Sequence, residues 1–188
     1  QNSTGSFLTG KSHIEVGGNY NTVTGKNHGI NYSDDNLVSG KANSLANTDQ
    51  TLIAGDSNIA SVVTTSAIIG IDNNATNSSN TLISGNENIT SFSSHSLITG
   101  KENSETSGSG NIVSGTENTT INADNTFVSG QIHNINNADE SIVGGKSHTV
   151  TNVERTTLLG FGHQAVNVID GLIGGNSNTV TNFVNNTI

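Results

Sequence analysis

Branched aliphatic residues recur every fifteen positions along this chain, at Leu8, Val23, Val38, Ile53, Ile68, Ile83, Ile98, Val113, Val128, Val143, Leu158 and Ile173, without an insertion or deletion. Two residues after each stands a glycine, from Gly10 to Gly175. One residue before each stands a second apolar side chain, as in Phe7, Leu37, Leu82, Ile112 and Leu172, with Thr22 and Thr157 the polar exceptions. A period this regular makes each repeat one coil of a solenoid. The tetrad Thr81-Leu82-Ile83-Ser84 before Gly85 is β-rich and predicts a short strand opening every coil.

Neighbouring residues on a strand point to opposite faces, so two consecutive apolar columns predict a strand buried on both. One face packs inside its own coil. A fifteen-residue coil cannot wrap a layer over the other, so identical chains are expected to supply it in a symmetric oligomer. Five positions after the glycine a weaker apolar column (Ile30, Leu45, Ala60, Ala75, Ile135, Val150, Ala165, Val180) predicts a second strand. Seven after it stand Asn47, Asn77, Asn122, Asn137, Asn152, Asn167 and Asn182, with Gly17 in the first repeat, residues that tolerate a left-handed turn. The expected fold is therefore all-β: a flattened parallel β-roll of about twelve 15-residue coils.

Composition narrows the function. Six Lys and Arg stand against fifteen Asp and Glu, a net charge of -9, which argues against nucleic acid or an anionic membrane as partner. Only 30% of residues are hydrophobic, there is no Cys, Met, Trp or Pro, and no apolar run is long enough to span a bilayer. No direct membrane insertion by this segment is expected. Asn186-Thr187-Ile188 begins a thirteenth strand in register and stops before its glycine, which predicts that residues 1–188 are one β-roll domain cut from a longer chain.

The unit Ser96-Leu97-Ile98-Thr99-Gly100-Lys101-Glu102-Asn103, like Ser66-Ala67-Ile68-Ile69-Gly70, resembles the S-V-A-I-G repeat of YadA-like head domains in trimeric autotransporter adhesins, over essentially the whole chain. One departure is plain: the family motif commonly sets its apolar residues three and one before the glycine, whereas here they stand three and two before. The resemblance implies a left-handed β-roll assembled as a parallel homotrimer, the head of a passenger whose stalk and outer-membrane anchor lie outside this chain. It also implies attachment at the bacterial cell surface to a host receptor or matrix protein. A trimeric phage or virion tail-fibre segment is the alternative.

The position three after the glycine is always Asn or His: His13, His28, Asn43, Asn58, Asn73, Asn88, Asn103, Asn118, His133, His148, His163 and Asn178. Such a column is expected to be a structural ladder that satisfies backbone groups of adjacent coils. Were it turned toward a three-fold axis, each His layer would gather three imidazoles into an anion or metal site. The lysines Lys11, Lys26, Lys41, Lys101 and Lys146 all follow the glycine directly, as a solvated rim. Ile71 and Phe161 interrupt that rim, and Val62, Val63 and Phe92 place apolar bulk in the turn after the second strand; all five are candidate contacts, with a receptor or between chains. Asp34-Asp35 and Asp139-Glu140 are adjacent turn carboxylates that cannot converge across a substrate. No catalytic, cofactor-binding or metal-ligating residue is expected, and the chain is expected not to be an enzyme.

Overall fold

A carbonyl of the next coil lies against the glycine of most coils, from Gly10 to Gly70 and from Gly100 to Gly145, and this close approach sets the repeat. The computed structural model describes residues 4–162, 164–167, 169, 171–176 and 179–181. The chain forms two units, Gln1–Phe92 and Ser93–Ile188, both parallel all-β solenoids and together about eleven turns. At Gly55, φ is +123°, and a Cβ would land on the Gly70 carbonyl oxygen. No L-side chain can occupy that space.

In the first unit the glycine strands Phe7–Lys11, Thr22–Lys26, Leu37–Lys41, Leu52–Asp56, Ala67–Ile71 and Leu82–Asn86 pair in parallel in that order. The partner of each residue stands one repeat further on, as Ile53 opposite Ile68. Second strands of three or six residues, among them Gly29–Asn31, Ser44–Ala46 and Ile59–Thr64, form the other sheet. The second unit repeats this plan, from glycine strand Leu97–Lys101 to Leu172–Asn176 and from second strand Ser104–Thr106 to Thr179–Thr181.

Each fully described coil turns through three left-handed corners where the sequence pattern marks one. In the coil of Gly70 these are Asp72 (φ 55°), Asn77 (φ 49°) and Asn80 (φ 52°). Between the second and third corners runs a short third side, seen as isolated pairings such as Asp34 with Asp49 and Asp124 with Asp139. The Asn column seven after the glycine is a turn, as predicted; the other two corners carry such varied residues that no composition signal marks them.

The cores are narrow. In the first unit Val23, Val38, Ile53, Ile68 and Ile83 stack on one side against Ile30, Leu45, Ala60 and Ala75 on the other, with Val63 from the short side. The second unit has the same arrangement, from Ile98 to Leu158 against Ile135, Val150 and Ala165. Val63 is fully buried, which corrects its assignment as a partner contact: it stands one past the second corner, and the chain there turns it inward.

The other apolar column, three before the glycine, faces outward. Leu37 is 48% exposed, Leu82 41%, Phe127 40% and Ile142 46%. Within one chain the glycine strand is buried on one face only. The thirteenth strand expected at Asn186 to Ile188 lies outside the described residues.

Gly55→Ala is expected to destabilise the fold by more than about 3 kcal/mol, because both the backbone conformation and the space exclude a methyl group. Chemical denaturation of the variant measures this.

Candidate functional site

The Asn/His column points into the coil. Asn43, Asn58, Asn73, Asn88, Asn103 and Asn118 are fully buried, as are His28, His133 and His148; His13 is half-buried, and His163 and Asn178 lie outside the described residues. Asn43 shows the bonding. Its Nδ2 donates to the carbonyls of Ser39 (2.8 Å) and Gly55 (3.1 Å), and its Oδ1 accepts the amide N–H (2.9 Å) and Nδ2 (3.1 Å) of Asn58. Asn118 does the same for Ser114, Gly130 and the amide of His133. One side chain thus satisfies backbone groups of its own coil and of the next. An inward column cannot gather imidazoles on an axis between chains, so the anion or metal reading of the His layers falls.

Histidine alternates with asparagine because one tautomer reproduces its pattern. His133 Nδ1 accepts the amide N–H of His148 at 3.2 Å, so the ring proton sits on Nε2 and is donated to the Ser129 carbonyl at 3.1 Å. His28 likewise accepts from Asn43 (3.2 Å) and donates to Thr24 (2.9 Å). The rings stack in pairs, His13 on His28 at 5.1 Å and His133 on His148 at 4.8 Å. Burial lowers the pKa of His28 and takes that of His133 down to about 4, with repulsion from the paired histidine acting in the same direction.

A second inward ladder went unread in the sequence, although its signal was there: four before the glycine almost every residue is Ser, Thr or Asn. The pattern placed it in the strand, but the strand starts one residue later, at Leu82 in the coil of Thr81. Ser66 Oγ donates to the Thr64 carbonyl (2.8 Å) and accepts the Thr81 amide (3.1 Å); Asn36 Oδ1 accepts the Thr51 amide (2.9 Å). Two glutamates, Glu15 and Glu105, also enter the interior column five after the glycine, and Glu105 is fully buried.

The remaining candidate contacts separate by location. Ile71 (51% exposed) alternates with Ala67 and Ile69 on the outward face of the glycine strand, and Phe161 does so with Thr157 and Leu159. These two coils carry small or polar residues three before the glycine and regain apolar bulk further along. Val62 (48%) and Phe92 (62%) instead occupy the second corner with left-handed backbone, φ 55° and 54°. Tyr32 occupies the same corner, exposed, at φ 47°. The five lysines are exposed at the ends of their strands.

No protein-family model matches this chain, and no curated protein does. Among solved structures it is similar to a putative acetyltransferase from Desulfovibrio desulfuricans G20, at 9% identity and a TM-score of 0.24, covering 94% of this chain and 67% of that one. It is also similar to the polysialic acid O-acetyltransferase OatWY (11% identity, TM-score 0.15, 95% and 76% covered). A third is the polySia-specific acetyltransferase NeuO (11%, 0.16, 96% and 77%). The expectation that the chain is not an enzyme does not stand beside a first neighbour described as an acetyltransferase, and it is dropped. At these TM-scores the likeness assigns no activity to this chain.

Between about pH 6.5 and 4 the unfolded chain binds a proton at His133 that the folded chain refuses, so stability is full above pH 6.5 and falls as pH drops through that window. The loss from this residue is expected to reach roughly 3 kcal/mol, and His133→Asn should remove it while keeping the ladder, as read by melting temperature against pH. Val62→Asn is expected to stabilise the first unit by about 1 kcal/mol, since a β-branched residue is costly in the left-handed region and Asn is not; denaturant titration checks this.

Proposed function

We propose that this chain is the head segment of a trimeric bacterial surface adhesin: a left-handed β-roll, three copies side by side, that binds a host-cell receptor or matrix protein and is held to the outer membrane through regions outside it. The observation that carries the reading is the outward apolar column three before the glycine, exposed in both units at Leu37, Leu82, Ile112, Phe127, Ile142 and Leu172. Monomeric soluble proteins rarely expose continuous apolar surface, and a face repeated at every coil suits an identical face on another copy. Ile71 and Phe161 extend that face and belong, in this reading, to contacts between chains. Val62 and Phe92 stand on a corner away from it, where strained backbone supports bulky, exposed side chains. They belong to receptor contact.

Sedimentation equilibrium is expected to give three chain masses, and Phe127→Asp to give a folded monomer with unchanged far-ultraviolet circular dichroism. A monomeric wild type would sink the assembly. Val62→Asn combined with Phe92→Asn is expected to leave the trimer intact and to reduce attachment to host cells or immobilised matrix proteins at least several-fold; unchanged attachment would remove these two residues from the receptor surface.

A further inference from the structure

The interior of the second unit holds one carboxyl with half of its bonding accounted for. Glu105 is fully buried in a column that is otherwise mostly aliphatic. Its Oε1 accepts from Asn111 Nδ2 (2.6 Å) and from Ser96 Oγ (3.0 Å). Oε2 has no hydrogen-bond partner, and neither does the buried Ser93 hydroxyl that lies against the same carboxyl. The cell is built for this group: Gly108 leaves the space, since a Cβ there would collide with both Asn111 Nδ2 and Glu105 Oε1. The same four residue types recur at identical spacing as Ser6, Glu15, Gly18 and Asn21, where Ser6 and Asn21 again both donate to Oε1.

We infer that the Glu105 carboxyl is a proton-binding site, held uncharged inside the second unit with its proton on Oε2 and donated to the Ser93 hydroxyl. The Ser93 hydroxyl can face either form, as donor to an ionised Oε2 or as acceptor from a protonated one, but one neutral donor replaces only part of the hydration that a fully buried charge loses, and no cation among the described residues acts on the carboxyl to offset the rest. The cell presents N–H and O–H donors to the carboxyl, so it does not suit a metal cation. Burial raises the pKa of the group, interactions with Asn111, Ser96 and Ser93 oppose that, and the negative charge of Asp124 adds to the rise. A raised folded pKa means that stability is greatest at low pH for this group and declines as pH climbs from the ordinary glutamate range to the folded value.

Infrared spectroscopy of the whole chain at pH 7 decides the matter, because exposed carboxyls are then ionised. The expected result is a protonated-carboxyl C=O band in the wild type that Glu105→Gln abolishes. Between pH 8 and 9 the wild-type folding constant is expected to fall by up to about tenfold per pH unit while that of Glu105→Gln stays level. Carboxylate bands alone at pH 7 would overturn the inference. So would a melting temperature that rises when sodium replaces choline at fixed ionic strength, which would give Oε2 a cation. If Glu105→Gln does not fold, the wild-type spectrum and pH series still decide.

Discussion

Everything in this protein hangs on a fixed offset of fifteen residues between neighbouring coils. A parallel stack leaves each inward-pointing amide and carbonyl at the corners without a strand partner, and burial of such groups is costly. The Asn/His ladder and the Ser/Thr/Asn ladder meet that need, each side chain bonding its own coil and the next. Asn58, for example, bonds the Ala54 and Gly70 carbonyls and Asn43 Oδ1 while its own Oδ1 receives Asn73. One inserted residue would break both ladders at once, which accounts for a period kept without a slip.

The same constraint explains the low apolar content. From Val23 onward each described coil contributes between one and three large aliphatic side chains to the core, and most of the remaining inward places are alanines or polar groups satisfied by neighbours. Such an interior is specific in register but sensitive to charge. Burial disfavours the charged forms of its imidazoles and of its carboxyl, so protonation becomes part of the fold's stability.

Apolar surface is distributed unevenly outside. The outward column of the glycine strands recurs in both units, whereas exposed bulk at the second corner is found in the first, at Tyr32, Val62 and Phe92; in the second unit that corner is Ser107 followed by Asn122, Asn137, Asn152 and Asn167, with Asn137 donating to Asn152 at 2.8 Å. One surface is a property of the repeat and the other of particular coils. That difference underlies their assignment to self-association and to partner binding.

The sequence by itself determined the repeat, the glycine strands, the second strand, the asparagine corner and the ladder residues, because each occupies a column whose chemistry is nearly invariant under one spacing. What it could not determine was direction. A period of two on a strand leaves open which of two apolar columns faces inward, and only the closed coil turned Ile53 in and Leu52 toward the surface. Tertiary structure also decided that Val63 is core, that the serine, threonine and asparagine column is a second ladder, and that two further corners exist where residue types vary. Those outcomes depend on where three left-handed turns aim each side chain, and that geometry exists only once the coil closes on its neighbours.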